Sequence, residues 1–317
     1  MRPLAVVAVS LVAAFAALPA SAQTELKIMA PAGPGGGWDQ TARAMQQALI
    51  SSQLAKSVQV FNVTGAGGSV GLAQLINSKG EGRLLMVNGL VMVGALLTNK
   101  SAVRLDQATP IAKLTEEVEV IVVPAASPIR NAADLAAAVK ADPAKVTWTG
   151  GSAGGVDHIT AAMFAQAVGA DAGKINYIAF SGGGESLAAV LGGRVTAGIS
   201  GYGEYEGQIK SGRLRLIGVT ADKRVAGIDG PTLKEQGIDV VISNWRSVMA
   251  PPGLTPQQRD ELTALVEKMA NSPAWKDILK QKGWDDALMT GEAFANFLKS
   301  EQERVAGVLK SAGLVKP

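Results

Sequence analysis

Four glycine-rich segments hold the residues best placed to do chemistry: Pro34-Gly35-Gly36-Gly37, Gly65-Ala66-Gly67-Gly68, Gly150-Gly151-Ser152-Ala153-Gly154-Gly155 and Ser181-Gly182-Gly183-Gly184. Each follows a short β-type run and precedes residues with helical spacing, so each sets a glycine turn at a helix start. A helix start leaves about four backbone N–H groups without partners and carries roughly half a positive charge, so it can hold an anion without Lys or Arg. Glycine lets a ligand approach that backbone closely. For any one segment a tight turn in an ordinary α/β core explains the glycines equally well. Three of the four carry adjacent glycines beyond what a turn needs. Four helix starts converging on one cleft would suit a small molecule with a carboxylate at each end.

Two enzyme motifs overlap these segments. Gly65-x-Gly67 with Gly71 mimics a dinucleotide fingerprint, but its third glycine comes one place late and the strand ending at Asn88-Gly89 lacks the expected acidic residue. Gly150-Gly151-Ser152-Ala153-Gly154 fits the G-x-S-x-G nucleophile elbow between a strand and a helix. The single histidine, His158, follows that serine by only one helical stretch, whereas the hydrolase fold draws its histidine from a distant, later loop. Ser152 is therefore read as a hydrogen-bonding partner for a ligand oxygen, and no enzyme activity is expected. Asp39 reads as a helix cap paired with Arg43 or as a ligand contact. His158 either orients the Ser152 loop or touches ligand. Glu185 favours its helix start, and Arg246 ties strands together at a crossing or adds positive potential.

The elements that must position these residues follow an α/β rhythm. Strands are predicted over Leu26–Ala30, Val58–Val63, Leu84–Asn88, Lys145–Thr149 and Ile175–Phe180, and helices over Asp39–Ile50, Val70–Ile76, Asp157–Val168 and Glu185–Leu191. Gly89 to Gly94 reads as an apolar turn, and Asp134–Lys140 as a helix capped by Asn131. Val118–Pro124 and Asn244–Ala250 are the two candidate crossings between lobes. Further on, Thr255-Pro256-Gln257-Gln258 is a capping box with Pro at the first helical position, Ser272-Pro273 opens another helix that Gly283 can end, and a last helix runs from Thr290 to Gly313.

At the chain start, Arg2, an apolar run from Leu4 to Leu18 and Ala20-Ser21-Ala22 form a cleavable signal peptide over residues 1–22. The apolar run is shorter than the roughly 20 residues that span a bilayer. The chain has no cysteine, which excludes disulfides, thiolate metal sites and a lipid-modified cysteine at the cleavage point. A periplasmic location is expected. Formal charge is +3 with no dense Lys/Arg run, so nucleic acid is a poor partner, and aromatics at 4% weaken a sugar site.

The turns also carry a resemblance. Pro31-Ala-Gly-Pro-Gly-Gly-Gly-Trp-Asp39 with Thr41, Ala42 and Arg43, Gly65 to Gly68, Gly150 to Gly155 with Asp157 and His158, Phe180 to Glu185, Ser200-Gly201-Tyr202-Gly203-Glu204 and Pro231 to Gly237 resemble the receptors of tripartite tricarboxylate transporters, the Bug family of periplasmic binding proteins. The likeness covers nearly all of the mature chain. It implies an α/β, two-lobed periplasmic-binding-protein fold (Venus flytrap, type II-like) with two crossing strands. Lobe I would be 23–121 plus 248–317, and lobe II 122–247. Carried over residue by residue, it places Gly36, Gly37, Trp38, Asp39, Gly67, Gly68, Ser69 and Met92 on one side of the ligand. Ser152, Ala153, Gly154, His158, Ser181, Gly182, Gly183, Gly201 and Tyr202 would face them. The implied role is capture of a di- or tricarboxylate, without cofactor or metal, by a monomer that delivers it to a large and a small membrane subunit. A sensor kinase is the alternative recipient.

Overall fold

The computed structural model describes residues 25–180 and 183–315. The expected leader, residues 1–22, and two expected site residues, Ser181 and Gly182, lie outside them.

The chain opens with β1 (Glu25–Ala30), α1 (Gly37–Ser51), β2 (Ser57–Asn62), α2 (Ser69–Asn77), β3 (Leu84–Gly89) and α3 (Leu90–Thr98). A long strand, β4 (Thr109–Pro124), leads to α4 (Ala132–Ala141), β5 (Thr147–Gly150), α5 (Val156–Ala167), β6 (Asn176–Ala179), α6 (Gly183–Leu191), β7 (Ala197–Gly201), α7 (Tyr202–Lys210) and β8 (Leu214–Val219). The chain closes with β9 (Ser243–Ala250), α8 (Pro256–Ala270), α9 (Pro273–Lys282), β10 (Asp285–Thr290) and α10 (Gly291–Ser311). The local signals act as their chemistry dictates. The Asn131 side chain accepts the Asp134 N–H, Thr255 and Gln258 form the capping box, Ser272 caps α9, and Gly283 ends it in the left-handed conformation.

Each half is built on a sheet. In the first, β1 runs parallel to β2 and β3, while β3 pairs antiparallel with β9. Every residue of β3 is buried, as expected of a strand covered on both faces. From Thr109 to Val118, β4 pairs with β9, with β10 along its other side; from Glu119 onward its partners are β7 and β8. The second sheet is completed by β5, parallel to both β6 and β7. One strand thus serves two sheets. Met29, Met86, Trp275 and Phe294 anchor the first core. Trp148, Phe164 and Ile199 anchor the second, and Val120, Val190 and Tyr205 fill the opposite face of that sheet. The architecture is the expected α/β, two-lobed binding-protein plan.

Six elements differ from expectation. Gly89 to Gly94 is no turn: Leu90 opens α3, and Gly94 sits inside that helix. Uniformly apolar residues hide a helical period, because α3 is buried on more than one side. β4 begins at Thr109 instead of Val118; Lys113, Glu116 and Glu117 masked it, yet these charges are paired within the fold, Lys113 with Glu116 and Glu117 with Arg246. β7, α7, β8 and β10 carry weak periodic signals and emerge only in the structure. Among the described residues no helix is long and apolar enough to cross a membrane.

Candidate functional site

Residues from all four glycine turns line one cavity of about 320 Å³ between the two sheets. Gly36, Gly37 and Trp38 contribute from the start of α1, and Gly67 and Gly68 from the turn before α2. Ser152 and Ala153 contribute from the loop after β5, and Gly183 from the start of α6. The first-turn amides of α1 have no intrahelical acceptor, so the Gly37 and Trp38 N–H groups are available at this wall. Among the described residues the Ser152 hydroxyl has no hydrogen-bond partner, while the serine carbonyl accepts the Gly155 N–H.

Other expected contacts sit behind the wall. Asp39 is buried and accepts hydrogen bonds from the Gly35 N–H, Arg43 and Asn62. Burial alone would raise its carboxyl; those three bonds outweigh it and hold the pKa below the usual range. Ser69 begins α2, off the wall. Met92 packs behind Trp38: a side chain on Gly68 would fall 2.6 Å from Met92 Cε and 2.8 Å from Trp38. It is Val91, the preceding residue, that lines the cavity. His158 stacks on Tyr177 with ring centres 4.2 Å apart, and its Nδ1 accepts the Gly154 N–H at 3.0 Å. Burial pulls its pKa down to about 4, so it is neutral, and its role is to shape the Ser152 loop. Tyr202 is buried in the small core.

Gly154 and Gly94 have a separate function. The Gly154 carbonyl occupies the space a Gly94 side chain would fill, and Thr98 occupies that of Gly154, which adopts φ +76°. The Thr98 hydroxyl donates to the Ala153 carbonyl at 3.3 Å. Close backbone approach here joins α3 to the loop after β5 across the cleft, instead of admitting a ligand.

The cavity floor is charged, and glycines make room for it. A side chain on Gly37 would overlap the Arg246 guanidinium, reaching 2.9 Å from Cζ. Likewise Gly183 leaves space for Glu204, Gly150 for Asp157 and Gly201 for Glu117. Arg246 is ion-paired with Glu117, lies 4.0 Å from Glu204 and stacks over Trp284 at 5.1 Å. Burial drives the Glu204 pKa up to about 7; Arg246 opposes the rise, and Glu117 and Asp157 add to it. Asp157 is pushed up to about 6 by burial, against the Gly151 N–H that it accepts. Glu119, fully enclosed next to Asp157 and Glu117, is raised well above the carboxylate range, chiefly by burial.

Asp157, Ser200, Glu204, Asn244 and Arg246 all line the cavity, and none stood among the expected contacts. A signal existed for two of them. Asn244 and Arg246 stand two apart on a strand, hence on one face, and that face meets the cleft because β9 is a crossing strand.

Comparison with known proteins adds lineage to this geometry. The model of the tripartite tricarboxylate transporter family receptor matches residues 41–314. Protein BugT of Bordetella pertussis is 28% identical over 322 residues, covering 98% of each chain. MatC from Rhodopseudomonas palustris, solved with bound malate, superposes with a TM-score of 0.79 at 21% identity, over 90% of this chain and 98% of its own. Rpa4515 of R. palustris, solved with adipate, gives 0.83 at 20% identity, over 91% and 97%.

Proposed function

The chain belongs to the tripartite tricarboxylate transporter receptor family, and from that premise we propose that it is a periplasmic receptor that captures a small di- or tricarboxylate and hands it to a large and a small membrane subunit. The family is a class of substrate-binding receptors, not enzymes. Its members are periplasmic binding proteins, in keeping with an export leader over residues 1–22; action as a monomer is part of the same proposal. We divide the chain into lobe I, 23–121 plus 248–317, and lobe II, 122–247. The partners of β4 change between Val118 and Glu119, three residues before the first of these boundaries.

The observation that carries the reading is one cavity walled by residues of four glycine turns, two from each side, with the Gly37 and Trp38 amides and the Ser152 hydroxyl available to it. Its volume lies within the roughly 300–1,000 Å³ range of small-molecule sites. The acidic floor keeps a ligand's carboxylates on these walls and on Arg246. Malate in MatC and adipate in Rpa4515 are ligands of the same chemical kind.

Ser152→Ala is expected to weaken carboxylate binding by about tenfold or more, since a hydrogen bond to a charged group contributes roughly 1.5–3 kcal/mol. Folding should be unaffected, because among the described residues the Ser152 side chain makes no hydrogen bond. Calorimetric titration of the variant checks this. Unchanged affinity would remove Ser152 from the site.

A further inference from the structure

The wall contributed by β9 has polar atoms without a hydrogen-bond partner among the described residues. Asn244 is 7% exposed and Arg246 is 2% exposed, both line the cavity, and both have a buried polar atom without a hydrogen-bond partner: the Asn244 amide oxygen and Arg246 Nη1. The two residues stand two apart on one strand, so an unpaired acceptor and an unpaired donor belong to the same strand face. Leaving such groups unmatched is costly in a buried site. A carboxylate satisfies Arg246 Nη1. It cannot satisfy the Asn244 oxygen, which requires a donor.

We infer that the ligand is a carboxylate bearing a hydrogen-bond donor, a hydroxyl or an ammonium, next to one carboxyl end, with that carboxyl on Arg246 and the donor on Asn244. A plain dicarboxylate leaves the Asn244 oxygen unpaired. This rests on the carboxylate-receptor reading and narrows it to hydroxy- and amino-substituted acids. A site built to pair a substrate donor discriminates strongly against the analogue lacking it, since the protein acceptor is then stranded.

Matched acids differing only in that donor test the inference: succinate with malate and aspartate, glutarate with 2-hydroxyglutarate and glutamate, and tricarballylate with citrate. Each is titrated calorimetrically into the mature protein. In the set that fits the cavity, the hydroxy or amino acid should bind at least about tenfold tighter than the bare one, and comparing the two substituted acids identifies which donor is read. Asn244→Ala, with native circular dichroism confirmed, should shrink that ratio to less than about threefold. The inference fails if a bare acid binds as tightly as its substituted partners, or if the ratio survives in Asn244→Ala. If no acid in any set binds, the carboxylate-receptor reading falls and takes the inference with it. The unmodified protein alone decides the first point should the variant not fold.

Discussion

Replacing Gly37 with Val should destabilise the protein by about 3–5 kcal/mol and abolish measurable carboxylate binding, the stability loss being that of a buried ion pair broken from one side. The added side chain occupies the place of the Arg246 guanidinium. That group has little freedom to yield, enclosed as it is between Glu117 and the Trp284 ring. Displacing it strands Glu117 among Glu119, Asp157 and Glu204 and removes the cation from the cavity wall. Arg43→Gln provides the contrast. Arg43 is half exposed, pairs with Asp39 behind the wall and should alter stability by no more than about 1 kcal/mol. Thermal denaturation and titration of both variants check the pair. Tight binding by Gly37→Val together with lost binding in Arg43→Gln would show that an exposed side-chain charge, not the glycine turn and its buried partner, holds the anion.

Stability should fall as pH rises from about 5 to 8, the reverse of ordinary carboxylate behaviour. The Glu204 pKa stands at about 7 in the fold against an ordinary 4.5, so between those values the folded chain holds a proton that the unfolded chain has released. Stability from this group is full below the lower value and is lost as pH passes the upper one, a difference of roughly 3 kcal/mol. Asp157, at about 6 against 3.8, acts in the same direction up to about pH 6, as does Glu119. His158 opposes them: lowered from 6.5 to about 4, it withholds from the fold a proton that the unfolded chain takes up. Three carboxyls outweigh one imidazole below pH 6.5, and above it the imidazole no longer contributes. The groups facing Glu204 from neighbouring elements are Glu117, Asp157 and Arg246, and no further cation among them reverses the sign. Denaturant titrations across this range should show the decline in the native protein and a much flatter profile in Glu204→Gln. A native profile that is flat or rises toward pH 8 would contradict the buried-carboxyl arrangement.

Much of the architecture was legible in the sequence because its signals are local. Apolar strands ending in glycine, the Thr255 capping box and the Ser272 and Gly283 helix boundaries depend on neighbours a few residues away, and the structure places them as read. The position of the cleft was legible too, since four turns at helix starts were the most conspicuous pattern. Their purpose was only partly so. Glycines that seemed to clear a path for a ligand mostly clear space for Arg246, Glu204, Asp157 and Glu117, partners distant in sequence whose identity no local pattern reveals. Gly154 was misleading for the same reason: its neighbour is Thr98 on the other side of the cleft. Asn244 and Arg246 were visible as a strand pair, but that they face the cavity follows from the pairing of β9 with β4, which is a property of the assembled sheet.

The central claim is that this cleft is a carboxylate receptor site, and calorimetric titration of residues 23–317 with di- and tricarboxylates, beside amide analogues of the same shape, tests it most directly. The account predicts saturable, single-site binding of at least one carboxylate, lost when the carboxylates are exchanged for neutral amides and weakened in Ser152→Ala. Binding of the amide analogue as tightly as the acid, or no heat from any carboxylate while a neutral solute saturates the same cavity, would contradict it.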